Sequence, residues 1–466
     1  MSAAAPLRSK DLPAHWRTAV HLAFIALGIL AFVFTRERLY ADAAYYLLHS
    51  LDSGMPWVDH QRFSLLLAEL PPVLALHAGA PLSAVLVVHS LGHVFWAWLA
   101  AFWCMRLHRT ELAVGILLLQ VIGQTHLYYS PMMEICYGGT FALVLLAYWQ
   151  AHPLPRGRGL AVWSLLAVLL ITSHPEHLLT LLVVTGLVLW STRGDRRVLL
   201  LALLPIAVFL VLKLFFLSPY ESGKFSAGSS EDPLRWLSAA YLMDIAGLFI
   251  SHYADLLLVM GFGAFILLRA RERAAVAVLL GGSIAVVLMV NTAMEATTYT
   301  RYHESAYFPL VTCGVLLGAL ALPHLQARGR NAALLLVLVI LVERSVSIAQ
   351  QGALLKDRVA RITAMTRACD AQGAGKCVIA PDAERPLYGT WEWSLPMEAL
   401  LLGAEERRPV SLITTEDLAF DSSYAVLPDT MILLRRWEPR SIASLPSWAR
   451  MRPAPYRELT PSPGTH

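Results

Sequence analysis

Charged residues are scarce in this chain: Asp, Glu, Lys and Arg make up 15% of its 466 residues, whereas soluble domains carry about 25%. Lysine is especially rare, since only five of the 37 Lys and Arg residues are Lys. Walker A, Gly-rich dinucleotide-binding, GxSxG and HExxH motifs do not occur in the sequence. Nucleotide hydrolysis and zinc-peptidase chemistry therefore have no support.

The chain is instead rich in long apolar stretches. Hydrophobic residues make up 57% of the chain, and a transmembrane helix needs about 20 mostly apolar residues. The pattern predicts an all-α polytopic membrane domain. Its eleven expected spans lie near 18–35, 82–104, 111–127, 137–151, 159–173, 177–192, 198–217, 245–268, 274–291, 305–322 and 331–347.

Positive charge is unevenly divided between the polar segments that separate these helices. Fifteen Lys and Arg residues fall on one side, and six fall on the other up to residue 305. Lys and Arg accumulate in cytoplasmic loops, so we expect a cytoplasmic N-terminus and, with eleven spans, a periplasmic C-terminus. The arginine-rich composition is typical of GC-rich bacteria and favours the bacterial inner membrane. The net charge of +4 follows from this topological bias and does not indicate nucleic-acid binding.

Residues 348–466 are expected to form a small C-terminal α/β soluble domain outside the transmembrane domain of residues 1–347. A helical pattern opens this region, and the short apolar runs CVIA, VSLIT, YAVLP and MILLRRW follow between Pro, Gly and Asp turns. Cys369 and Cys377 lie in the same region. They either form a disulfide in an oxidising periplasm or flank a turn as two free thiols.

A large outer loop is predicted at residues 36–80, and it opens with RERLYADAAYYLLHSLDSG. Asp42, Tyr45, Tyr46 and His49 are spaced to share one face of a helix. An acid just outside the first span suits a general base that deprotonates an acceptor hydroxyl near the bilayer. The alternative is a solvated helix on the membrane surface with a belt of tyrosines.

The same loop continues with PWVDHQRFSLLLAELPP, in which Asp59, His60 and Arg62 cluster. The planar, permanently charged guanidinium of Arg62 suits phosphate oxygens. His60 and Arg62 are therefore candidate contacts for a phosphate or diphosphate. An ion pair between Asp59 and Arg62 within the loop is the alternative.

Two further segments carry acids and histidines at the outer ends of predicted helices. Glu134, in HLYYSPMMEICYGG, is a candidate for binding sugar hydroxyls or for a metal site, and otherwise a solvated acid in an interfacial tyrosine belt. The short turn TSHPEHLL holds His174 and Glu176. These two can bind substrate or a divalent metal ion, or they form a plain polar turn.

Three more candidates lie near the outer face. Lys213 is close to the outer end of its predicted helix, where it either snorkels to the interface or pairs with a lipid phosphate. Arg301 and His303, in TYTRYHESAYFPL, lie at the entrance to the tenth predicted helix. Arg301 is the leading candidate for the phosphate of a carrier lipid, and an interfacial anchor paired with an acid is the alternative.

Two of these motifs resemble those of the GT-C glycosyltransferases, polytopic enzymes that use lipid-phosphate-linked sugars. LYADAAYY places Asp42 where that family carries a catalytic acid after the first helix. TYTRYHESAYFPL resembles the RY…P pattern of the protein mannosyltransferase and aminoarabinose transferase branch. Many members have an adjacent acidic pair, whereas Ala43 follows Asp42 here. The subfamily and a requirement for a divalent metal ion are therefore left open.

The resemblance implies transfer of a sugar from a polyprenyl-phosphate carrier to a lipid, polysaccharide or protein acceptor at the periplasmic face. Asp42 is the expected base. The expected substrate-binding residues are Tyr46, His60, Arg62, Glu134, His174, Glu176, Lys213, Arg301 and His303. The alternatives are a transporter or flippase of a lipid-linked envelope intermediate and a non-catalytic envelope assembly subunit. Convergence of Asp42, Arg62, Glu134 and Arg301 on one outer cavity would favour the enzyme.

Overall fold

The computed structural model describes residues 12–216, 238–293, 301–380, 392–421, 423–424 and 427–459, except for the side chains of 291–293, 301 and 392. This part of the chain is mostly helical. The α-helices within it are α1 Ala14–Val33, α2 Asp42–Ser53, α3 Leu65–His77, α4 Leu82–Arg106, α5 Thr110–Leu119, α6 Glu134–Ala151, α7 Arg158–Ile171, α8 His177–Ser191, α9 Arg196–Phe215, α10 Ala239–His252, α11 Ala254–Arg269, α12 Arg273–Ala293, α13 Arg301–Ala306, α14 Phe308–Ala321, α15 Ala327–Ala371, α16 Leu395–Glu405 and α17 Thr415–Ala419.

The strands that the structure describes all lie after residue 375. They are β1 Lys376–Ile379, β2 Ser411–Thr414, β3 Met431–Arg435, β4 Glu438–Ser441 and β5 Arg457–Glu458. β1 pairs in parallel with β2 and β5 in a sheet of order β2-β1-β5, and β3 and β4 form an antiparallel pair. The apolar runs CVIA, VSLIT and MILLRRW thus contain β1, β2 and β3, whereas YAVLP extends beyond the described residues.

Within the described ranges, five helices are long and apolar enough to cross a membrane, namely α1, α4, α9, α12 and α15. The consecutive helices α10 and α11 make a sixth candidate as a pair that is bent by 91° at Tyr253. Five shorter apolar segments have 10 to 17 residues. Eleven spans therefore stay a prediction, because four of the expected helices are shorter than the apolar runs that predicted them and a fifth is divided by the bend.

α1 shows how the long helices divide their surface. Trp16, Val20 and Phe24 are buried at four-residue spacing, which places them on one face. The opposite face is also apolar, and Ile25 and Phe32 are both 59% exposed. A helix with apolar side chains on its packed face and on its open face is suited to a lipid environment.

α15 runs unbroken through the boundary predicted between residues 347 and 348. Its first part is apolar, with a mean hydropathy of 2.3 over the most apolar window, and its last turns reach the strands. A disulfide joins Cys369 near its end to Cys377 in β1. One continuous helix and one covalent bond therefore connect the helical bundle to the strand-containing region.

The loop predicted at 36–80 contains two helices, α2 and α3. Every residue of α2 from Ala43 to Leu51 is buried, so the solvated surface helix considered for this segment is wrong. Leu47 and Leu48 of α2 share a hydrophobic core with Leu400 and Leu401 of α16. The strand-containing region therefore packs over α2.

Candidate functional site

The candidate side chains gather at one end of the bundle, where α7 and α9 end and α6 and α8 begin. The segment between α2 and α3 crosses this end, and Gln61 Nε2 donates a hydrogen bond to the carbonyl oxygen of Phe216 at 2.7 Å. His60 and Gln61 have φ values of 54° and 57°. Non-glycine residues keep such a backbone conformation only where their surroundings impose it, and these positions cluster at functional sites.

Arg62 and Glu134 form an ion pair across this end of the bundle. Glu134 is the first residue of α6, where a carboxylate is favoured by the helix dipole. Its side chain is 3% exposed and that of Arg62 is 14% exposed. Two separately predicted residues therefore meet, and Glu134 is a buried partner of a cation rather than a solvated acid. Asp59 accepts a hydrogen bond from the Tyr45 hydroxyl at 2.8 Å.

A small pocket of about 10 Å³ lies between this segment and the turn that joins α7 to α8. Four of the predicted substrate-binding residues line it: His60, Arg62, His174 and Lys213. A cavity of this size has room for about one water molecule.

Several buried polar atoms around this pocket have no hydrogen-bond partner within the described part of the chain. They are Gln61 Oε1, Arg62 Nε, His174 Nδ1 and Glu176 Oε2. Nearly all buried polar atoms in native proteins are paired with protein or water, and an unmade bond costs about 1–3 kcal/mol. Four such atoms around one small pocket indicate that it accommodates a polar ligand or ordered water.

His174 and Glu176 face each other across 3.9 Å, from Nδ1 to Oε2, which is beyond hydrogen-bond distance. Burial, followed by the charge of Arg62, lowers the pKa of His174 well below its usual value. Burial raises the pKa of Glu176 to about 8, although Arg62 opposes the rise. At neutral pH the imidazole is therefore uncharged and the carboxyl is protonated, so this turn can donate and accept hydrogen bonds without adding charge.

Asp42 begins α2 on the neighbouring side of the site. Its charge acts on the Tyr46 hydroxyl, together with the charges of Arg62 and Asp59. Burial is the main reason why the pKa of Tyr46 is raised, and its side chain is almost fully enclosed. Tyr46 thus stays a neutral hydrogen-bonding group between the candidate base and the arginine of the pocket.

The sequence did not predict how Asp42 is held in place. The preceding residue, Ala41, has a φ of 56°, and its amide donates to Glu398 Oε1 at 3.4 Å. Glu398 lies on α16 and forms two hydrogen bonds of 2.9 Å with the Arg358 guanidinium of α15. The sequence did contain one local signal, because Glu398 is the one charged residue in the apolar run LPMEALLLG. A lone charge in such a run favours a buried partner.

The other two predicted residues lie in α13. The Arg301 side chain is outside the described residues. His303 is buried and belongs to a second polar cluster, in which the adjacent Glu304 accepts hydrogen bonds from the amides of His126 and Leu127. Arg62 and Glu134 therefore meet, but of Asp42, Arg62 and Glu134 only Arg62 lines the pocket, and His303 lies in a different group.

A larger apolar cavity of about 270 Å³ lies between α4, α6 and α7. Trp96, Phe141 and Leu165 are among its lining residues. Polar contacts at its wall include the one between His93 Nδ1 and the Tyr137 hydroxyl at 2.9 Å. The cavity has the size and lining for a hydrocarbon chain.

No group of three or more His, Cys, Asp and Glu side chains in the described ranges is arranged to hold a metal ion. His174 and Glu176 make only a pair, so we derive no step through a metal. No protein-family model, curated protein or solved structure matches this chain. Its function must therefore be argued from the geometry of the site.

Proposed function

We propose that the protein is an integral membrane glycosyltransferase that moves a sugar from a polyprenyl-phosphate carrier to an acceptor at the outer face. The observation that carries the proposal is the group of four unpartnered buried polar atoms around the pocket of Arg62 and His174. Asp42 lies close enough to this group to act on the same tyrosine hydroxyl as Arg62. Such an arrangement provides a polar binding group and a carboxylate base at one end of the bundle.

The pocket is the proposed site of the donor phosphate, and its volume of about 10 Å³ means that the side chains around it move apart when the phosphate binds. His60, Arg62 and Lys213 line it, and a guanidinium with a buried, unpartnered Nε can donate to a phosphate oxygen. Glu134 neutralises Arg62 before the donor arrives. Binding therefore exchanges part of this ion pair for contacts with phosphate, and the neutral His174 and Glu176 can bind the phosphate or the sugar.

Asp42 is the proposed general base. It takes the proton of the acceptor hydroxyl while the acceptor oxygen forms its bond to the anomeric carbon. The bond between that carbon and the carrier phosphate breaks, and the phosphate leaves with the electron pair. Displacement from the opposite side inverts the anomeric centre. Charge grows on the leaving phosphate, so cations placed beside it lower the barrier.

The apolar cavity is the proposed location of part of the carrier chain. It is lined mainly by apolar side chains, and its volume of about 270 Å³ suits a short stretch of isoprenoid chain. Leu67 of α3 and Tyr137 of α6 line it. α3 follows the segment that contains Arg62, and α6 begins at Glu134. The carrier chain and its phosphate would therefore be held by connected elements.

A deletion strain complemented with wild type, Asp42→Asn or Asp357→Asn tests the proposal, with membrane levels of each protein matched. Asp357 is an exposed acid on α15 and serves as the control. Mass spectrometry of envelope lipids and glycans should show a sugar-sized loss that wild type and Asp357→Asn restore. We expect Asp42→Asn to lower product formation about 100-fold or more. Full rescue by Asp42→Asn would reject it as the base.

Transport of a lipid-linked intermediate is the second candidate, and one observation favours it. The α10–α11 pair is bent by 91°, and broken helices line substrate paths in many transporters. A flippase would move the intermediate between leaflets without changing its mass. If deletion leaves every glycan mass intact but changes the leaflet in which a lipid-linked intermediate accumulates, transport replaces transfer.

A further inference from the structure

A second polar cavity lies away from the pocket of Arg62, at the bend between α10 and α11. It has a volume of about 420 Å³ and opens between α11 and α15. His252 and Asp255 flank the bend, and Arg344 faces them from α15. None of these residues takes part in the sugar transfer proposed above.

Charge in this cavity is unbalanced. The Arg344 guanidinium makes hydrogen bonds of 2.7 and 2.5 Å with the two carboxylate oxygens of Asp255. Glu343 Oε2 also lies 3.4 Å from Arg344 Nε. Two carboxylates thus share one guanidinium, which leaves an excess of one negative charge among the described side chains that line the cavity. Glu343 is the member that remains 58% exposed, so the excess faces the cavity mouth.

Along both α11 and α15, the cavity is lined by a charged residue at one level and by an apolar residue one turn away. Arg344 lies seventeen residues, or about 26 Å, from the start of α15 at Ala327, which approaches the roughly 30 Å thickness of a bilayer core. Ile340 follows one turn deeper. On α11, Asp255 lies at the bend and Leu258 one turn deeper. The charged layer is therefore at the interfacial end and the apolar layer beneath it.

The apolar layer faces outward from the bundle. Leu258 is 61% exposed and Val339 is 56% exposed, and both line the cavity. A bilayer would surround these side chains with acyl chains. A molecule with a charged head and hydrocarbon tails can therefore enter from the side without leaving its leaflet.

We propose that this cavity binds the head group of a zwitterionic aminophospholipid, with the primary ammonium on Glu343 and the acyl chains along Leu258 and Val339. A primary ammonium carries three donors and one positive charge, which matches the excess carboxylate at the mouth. The hydroxyls of Thr125 and Ser251 also line the cavity and can donate to the phosphodiester. A quaternary choline has the same charge but no N–H donor, and a glycerol head group leaves the lipid anionic.

Lipid binding to the purified full-length protein tests the proposal without any enzymatic readout. Native mass spectrometry would measure dissociation constants for phosphatidylethanolamine, phosphatidylcholine and phosphatidylglycerol with identical chains. We expect phosphatidylethanolamine to bind about tenfold more tightly than the other two, because it alone makes charge-assisted hydrogen bonds to Glu343.

Two variants separate the cavity from the rest of the surface. Glu343→Gln should remove the preference for phosphatidylethanolamine, and its exposed position means that the fold is retained. Glu416→Gln, an exposed acid on α17, should leave the preference unchanged. Equal binding of the three lipids by wild type would overturn the proposal, and so would an unchanged preference in Glu343→Gln.

Discussion

Two of the buried arginine–glutamate pairs in the described part of the chain, Arg358–Glu398 and Arg62–Glu134, have opposite surroundings. Arg358 and Glu398 make two hydrogen bonds with each other, and Ser394 donates to the same carboxylate at 2.6 Å. Arg62 and Glu134 are also buried, but Arg62 Nε has no partner in the described structure and lines a pocket. A pair whose polar atoms are hydrogen-bonded within the protein stabilises the fold, whereas a pair with a buried polar atom that lacks a partner can bind a ligand.

The largest expected effect comes from breaking the saturated pair. Arg358→Ala leaves Glu398 buried without its cation, which should lower the free energy of unfolding by about 3–5 kcal/mol. The side chains of Arg358 and Glu398 are 1% and 3% exposed, so water cannot replace the lost bonds. Thermal unfolding of the purified protein measures the change.

Arg367→Ala is the matched control for that experiment. Arg367 also pairs with a glutamate, Glu406, but its side chain is 58% exposed. Pairs of this kind contribute little to stability, so the melting temperature should stay close to that of wild type. Similar losses from Arg358→Ala and Arg367→Ala would contradict the contrast between saturated and solvated pairs.

A pH dependence should distinguish the pocket from the saturated pair. The pKa of Glu176 is about 8 in the folded protein and 4.5 as its ordinary value. Between these values the unfolded chain gives up a proton that the folded chain keeps, so stability falls as pH rises through this window and is constant below it. The slope is at most about 1.4 kcal/mol per pH unit.

Melting temperatures of wild type and Glu176→Gln between pH 5 and 9 check this expectation. The difference between the two proteins isolates Glu176 from other groups that titrate in the same range. Glu176→Gln should gain on wild type steadily from pH 5 to about 8 and then stay parallel. Curves that remain parallel throughout would mean that the Glu176 carboxyl is ionised in the folded state.

A small change in stability is also expected when both Arg62 and Glu134 are replaced. Arg62→Met combined with Glu134→Gln removes the two charges together, so no buried charge is left alone. Stability should change by within about 1 kcal/mol, whereas the sugar-containing product should be lost. The melting temperature and the envelope glycan profile report the two quantities separately, and retained product in this double variant would remove Arg62 from the mechanism.

Local pattern predicted most helices and three strands, because apolar periodicity reports which face each segment buries. It also selected Arg62, Glu134, His174 and Lys213, since polar groups beside apolar runs are costly without a purpose. The sequence pattern could not predict which of these residues would contact one another. The Arg62–Glu134 pair joins residues far apart in sequence, and the burial of α2 depends on α16, more than 340 residues later.

Helix length was a second quantity that local pattern predicted poorly. The run at 111–127 looked like one span, but α5 ends at Leu119. The run at 245–268 is divided at Tyr253, and the run at 331–347 continues as α15 to Ala371. In these cases the ends are set by packing against other helices and by the strands, and hydropathy carries no information about either.

The continuity of α15 has a mechanical consequence. Arg344 at the lipid-facing cavity and Arg358 at the saturated pair lie fourteen residues apart on one helix, which is about 21 Å. A tilt of about 5° around Arg344 would displace Arg358 by about 2 Å over that lever arm. Arg358 holds Glu398, and Glu398 holds the amide of Ala41, the residue before Asp42. Where α15 tilts to accommodate a change in bilayer thickness, the tilt would therefore be transmitted along the helix to the position of Asp42.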